Sequence, residues 1–230
     1  MEKNLTEGSV FKNIVYFSLP YLLSYFLQTL YGMADLFIIG QFESVAATTA
    51  VSIGSQVMHM LTVMIVGLAM GSTVSIAKAV GANDGKRVSL NVGNTISLFF
   101  LISAFVSALL LLIVDPIVSV MSTPKEAVTG TASYLKICFI GIPFITAYNV
   151  IASVFRGMGD SKTPMCFIAI ACAANIGLDY LFIGILRMGA SGAALGTTLS
   201  QAISVIISLA YIIKNKSVTV SADDLKPCCA

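Results

Sequence analysis

The sequence predicts an all-α membrane protein with six transmembrane helices and both termini on the cytoplasmic side. Hydrophobic residues make up 57% of the 230-residue chain and charged residues only 10%, with a mean hydropathy of +0.92. No soluble core of this size needs so much apolar surface. The apolar runs recur at intervals close to the roughly 20 residues that cross a bilayer. Lys and Arg gather in alternate connections between those runs, which is a topology signal. The spans must be helices, because an open strand edge in lipid leaves backbone groups unpaired.

A cytoplasmic segment, 1–13, leads into the first span, 14–39. That span is too long and too polar at its far end for a cleaved signal peptide, and no small-residue cleavage site follows it. The second, 46–79, is long enough to be tilted or broken and contains Gly54, Gly67 and Gly71; the last two form a small-xxx-small pair suited to close helix approach. The remaining spans are 92–114, 132–155, 163–186 and 190–213, followed by a cytoplasmic tail or linker at 214–230. Polar connections separate them: 41–44, 81–87, the two-proline segment 115–131, 156–163 and 187–189.

With the N-terminus inside, Lys3, Lys12, Lys78, Lys86, Arg87, Arg156, Lys162, Lys214, Lys216 and Lys226 are cytoplasmic, and only Lys125, Lys136 and Arg187 lie outside. The net charge of +2 is then a product of topology and calls for no nucleic-acid partner. Cys138, Cys166 and Cys172 fall within spans and Cys228 and Cys229 in the tail, so no disulfide framework is expected. The terminal pair is not a prenylation box, whose cysteine stands fourth from the end.

Function enters through two acids, Asp35 and Asp179, inside stretches that otherwise carry almost no charge. An acid near mid-bilayer costs on the order of 3 kcal/mol, so each is expected to face a polar partner or a cation. Spans 1 and 5 both run outward, and the two acids lie roughly 8 and 12 Å from their outer ends. They share a depth. Asn175 precedes Asp179 by one helical turn, Gln28 precedes Asp35 by two, and span 6 brings Thr197 and Thr198 to a similar level. Two carboxylates in a low-dielectric site repel, so at least one holds a proton unless a cation neutralises the pair. Na⁺ wants several hard oxygens, which Asp35, Asn175, Asp179 and Thr197 offer, whereas a proton needs only the acids. The residue types accommodate either ion.

Blander readings stand beside these. Asp35 can cap its helix, Asp179 can bond Asn175 as interhelical glue, and the threonines can bond back to their own helix. Tyr134 is best read as an interfacial belt aromatic. His59, the lone histidine, is better read as a hydrogen-bonded core residue than as a proton shuttle or substrate contact. The neighbouring Met58, Met60 and Met64 are packing before they are an adaptable binding surface. The loop 156–163 is read as solvated and topology-setting.

In order and spacing, several motifs resemble those of the multidrug and toxic compound extrusion (MATE) transporters. They are Leu19-Pro20, Asp35-Leu36-Phe37-Ile38-Ile39-Gly40, Gly81-Ala82-Asn83-Asp84, Arg156 to Pro164, Asn175-Ile176-Gly177-Leu178-Asp179 and Gly192 to Thr197. The similarity runs from about residue 10 to 215. The resemblance implies one six-helix N-lobe, 14–213, of a twelve-helix transporter that exports organic, often cationic, compounds in exchange for H⁺ or Na⁺. It implies no cofactor and no enzymatic activity. The implied location is the bacterial inner membrane, as a multi-pass protein. By the same resemblance Asp35, Asn175 and Asp179 handle the coupling cation, Thr197 and Tyr134 supply supporting oxygens, and Gln28 lines the cavity. Asp223 to Lys226 reads as the linker to a second lobe, for which homodimerisation is the alternative.

Two other readings are distinguishable. A lipid-linked oligosaccharide flippase of the same superfamily calls for a cationic cavity, whereas these spans offer acids and no buried Arg. Gly157-Met158-Gly159-Asp160 matches the GxGD pattern of intramembrane aspartyl proteases, with Asp84 as the second acid. That reading leaves Asp35 and Asp179 unexplained.

Overall fold

The computed structural model describes residues 9–215. Lys3, Lys216, Lys226, Asp223, Cys228 and Cys229 lie outside the described residues. The described residues are almost all helical: α1 (Val10–Phe42), α2 (Val45–Gly81), α3 (Gly85–Leu112), a short α4 (Val114–Val120), α5 (Val128–Gly157), α6 (Lys162–Asp179) continuing into a π-helical turn (Tyr180–Ile185), and α7 (Gly189–Asn215). All but α4 are long and apolar enough to cross a membrane, which gives the expected six spans.

The starts are written locally. Ser44 accepts the Ala47 N–H at 3.3 Å and Asp84 accepts the Arg87 N–H at 3.1 Å, so each covers one of the unpaired donors that open a helix. α3 therefore begins at Gly85, well before the apolar run at 92, because the cap and not the lipid boundary nucleates it. The segment 115–131 is likewise not all loop: α4 and the first turn of α5 occupy much of it. Asn83 (φ 57°) and Gly159 (φ 89°) make the reversals before α3 and α6 in left-handed backbone.

α2 runs unbroken for 37 residues, roughly 55 Å at the helical rise and longer than the hydrocarbon layer is thick. The close approach expected at Gly67 and Gly71 is not found among the described residues: a side chain at either would meet none of them within 4 Å. Gly54 is the contact glycine. The ring of Tyr134 lies across it, with the Tyr134 Cγ 3.1 Å from where a Cβ would stand. Gly54→Val is therefore expected to cost about 1–3 kcal/mol by overpacking, seen as a lowered Tm in detergent.

α5 is the central post, packed against α2, α3 and α7, and most of its residues are buried. α1 leans instead on α6. Its inner end is held by two cation–aromatic contacts, Arg156 over the Tyr21 ring at 5.2 Å and Lys162 over Tyr16 at 4.5 Å. The expectation of a merely solvated loop at 156–163 is thereby corrected, because these cations lie against the aromatic face of α1. Between α1 on one side and α2 and α5 on the other a gap remains, and the polar site opens into it.

Candidate functional site

α1 contributes Asp35, 4% exposed, and α6 contributes Asn175 and Asp179, both 0% exposed. Burial this complete within apolar helices requires the acids to be neutralised where they stand. Thr197 of α7 donates its hydroxyl to Asp35 Oδ2 at 3.0 Å. Asp179 and Asn175 lie beside the same carboxyl group. Asp35 Oδ1, both Asp179 oxygens and the Asn175 amide oxygen find no donor among the described residues. These converging hard oxygens fit either a shared proton or a small monovalent cation.

Gly196 makes the packing feasible. It precedes Thr197 on α7, and a Cβ there would run into Asp179 Oδ1. The Asp179 side chain thus occupies the space that a larger residue would fill. Thr198, one residue on and about 100° further round the helix, packs against Gly141 of α5, so only Thr197 reaches the acids.

Asp35 and Thr197 form part of the wall of a cavity of about 300 Å³ lined by residues of α1, α2, α5 and α7, whereas Asn175 and Asp179 are buried outside that lining. Gln28 and Tyr134 are among the lining residues, and Tyr134 is 2% exposed and packed on Gly54. The interfacial-belt reading of Tyr134 is corrected: its ring fills the contact between α2 and α5. His59 is corrected as well. It is exposed on α2 and lines the cavity rather than resting in the core.

Tyr31, Asn149 and Gln201 are cavity residues that the sequence reading passed over. Tyr31 and Gln201 line the same cavity as Asp35. The signal was available: Tyr31 stands four residues before Asp35 and Gln201 four after Thr197, each on its neighbour's helix face.

The two acids of the protease reading are helix caps. Asp160 Oδ1 accepts the N–H groups of Lys162 at 2.9 Å and Thr163 at 3.1 Å, and Asp84 pairs with Arg87 Nε at 3.2 Å. Asp160→Ala is expected to cost about 1 kcal/mol, the worth of a cap, measured by thermal unfolding.

The family model MatE matches residues 20–181. A probable multidrug resistance protein of Bacillus subtilis (strain 168), YpnP, is 34% identical over 218 residues, covering 95% of this chain and 49% of that protein. A solved MATE structure in the bent conformation superposes with a TM-score of 0.90 at 25% identity, covering 96% of this chain and 50% of the other. A MOP superfamily transporter from Pyrococcus furiosus, described as having a binding pocket of reverse polarity that suggests a different function, superposes at 0.88 with 27% identity, covering 98% and 50%. The chain spans about half the length of the relatives it matches.

Proposed function

Because this chain belongs to the MatE family, we propose that it forms one six-helix lobe of an efflux antiporter that exports organic cations in exchange for H⁺ or Na⁺. Members of the family are transporters and not enzymes. The observation that carries the proposal is the grouping of buried Asp35, Asn175 and Asp179 with half-buried Thr197, of which Asp35 and Thr197 line an open cavity. A cation reaching that wall gains the attraction of Asp35 across a poorly screened gap. Neutralising the carboxyl pair by a proton or by Na⁺ removes that attraction. Cargo and coupling ion then compete for one charge, which is the differential binding that exchange requires.

The acids lie toward the end of the lobe opposite the one where Lys12, Lys78, Lys86, Arg87, Arg156, Lys162 and Lys214 collect. By the basic-residue rule that end is cytoplasmic and the acids face the outer leaflet of a bacterial inner membrane. Residues 14–213 then form the lobe.

The flippase reading is less well supported. The cavity lining carries Asp35 and neither Lys nor Arg, the wrong sign for a pyrophosphate-linked cargo.

The test is movement of a fluorescent organic cation in proteoliposomes, with Na⁺ and pH gradients imposed separately. The chain is assayed alone and together with the remaining half of a relative. Cargo movement driven by either gradient supports the proposal; movement indifferent to both overturns it.

A further inference from the structure

We propose that Arg187 is a positioning residue that fastens the outer ends of α1 and α6 together and so holds Asp35 opposite Asp179. The proposal rests on the reading of those two acids as the coupling site. Arg187 stands out because it is one of few basic residues on the side that the topology rule keeps poor in them. Its backbone is left-handed, φ 54°, a conformation unfavourable for any residue with a side chain.

That backbone turns the side chain onto α1. Arg187 Nη1 donates to the carbonyl of Phe42, the last residue of α1, where helix carbonyls lack partners and the helix end is electronegative. The guanidinium carbon also lies 5.5 Å from the centre of the Phe42 ring. On its edge the same ring meets Tyr180 at 5.9 Å and 79°, and a Cβ on Gly184 would stand 3.5 Å from it.

Phe42 is thus clasped on several sides by the segment that follows Asp179. Tyr180 is the next residue after Asp179, and Phe42 lies two helical turns beyond Asp35 on a shared face. The clasp therefore sets the separation of the two acids at close range. The π-helical turn at Tyr180–Ile185 carries Arg187 back over the end of α1.

The experiment follows the protonated-carboxyl infrared band of the purified full chain in lipid, titrated with pH and with Na⁺. The band is assigned by its loss in Asp35→Asn and Asp179→Asn. Arg187→Gln and Arg187→Lys are compared with the parent, as is Phe42→Leu, which removes the ring and keeps the carbonyl. The clasp predicts that all three shift the proton midpoint or the Na⁺ half-saturation in the same direction by about tenfold, the usual scale for an outer support of an ion site. Lysine keeps the charge and loses the planar fork. A parental titration in Arg187→Lys with a shift only in Arg187→Gln would reduce Arg187 to a distant charge and overturn the clasp. No shift in any variant would also overturn it. A parent whose carboxyl band ignores both ions would instead sink the coupling site on which the proposal stands. Arg187 is exposed, so its substitution leaves no buried charge behind, and a thermal melt confirms that each variant is folded.

Discussion

Asp35→Asn and Asp179→Asn are each expected to reduce gradient-driven transport of an organic cation by about 100-fold, the loss of a coupling free energy near 3 kcal/mol. The amide is nearly isosteric with a protonated acid, so each variant fixes one half of the site in its neutral form. Cation cargo loses its counter-charge when Asp35 is replaced. Either substitution leaves a single carboxyl group at the site. Folding moves the other way: both residues are nearly or fully buried among apolar helices, and removing a buried ionisable group relieves desolvation. Thermal stability at or above that of the parent, with transport lost, is the expected pair of results. Efflux that survives both substitutions and still follows either gradient would remove these acids from the mechanism.

The second large effect is expected at a residue with no chemistry of its own. Gly196→Ala places a methyl group where Asp179 Oδ1 lies and about as close as 3.2 Å to its Cγ. Either α6 and α7 separate or the carboxyl group swings away from Asp35. The expected cost is about 1–3 kcal/mol of stability, together with a loss of coupling close to that of Asp179→Asn. Gly67→Ala is the control, since nothing among the described residues lies within 4 Å of the added atom. It is expected to be neutral or slightly stabilising, by up to about 1 kcal/mol, because alanine favours helix. Proteoliposome transport and detergent melts of the two variants, side by side, separate a cradle for Asp179 from a general intolerance of larger residues.

The difference between these two glycines shows where sequence reasoning stops. Both sit in apolar helices with similar neighbours, and a small-residue pattern favours Gly67 and Gly71 as the contact pair. The partner that makes a glycine necessary belongs to another helix: Tyr134 for Gly54, Asp179 for Gly196. Hydropathy carries no record of which helices are neighbours.

His59 and Tyr134 make the same point from opposite sides. A lone histidine in an apolar span reads as core, and a tyrosine near a span end reads as interfacial. Because α1 leans on α6 and leaves a gap against α2 and α5, His59 faces that gap while Tyr134 is sealed at the α2–α5 contact. Arg187 was legible only as a charge on the poorer side of the membrane. Its hold on Phe42 depends on a left-handed turn and on the nearness of two helix ends far apart in sequence.

The sequence by itself determined the six spans, their alternation, and the common depth of Asp35 and Asp179. These follow from quantities local to each helix: apolar length, the placement of Lys and Arg, and a fixed rise per residue. Only the tertiary structure decided that Asp179 rests in the space left by Gly196, that Tyr31, Asn149 and Gln201 line the cavity that Asp35 faces, and that Arg187 reaches the end of α1. Those facts depend on how the helices are rotated and paired, which non-local contacts fix and no single helix encodes.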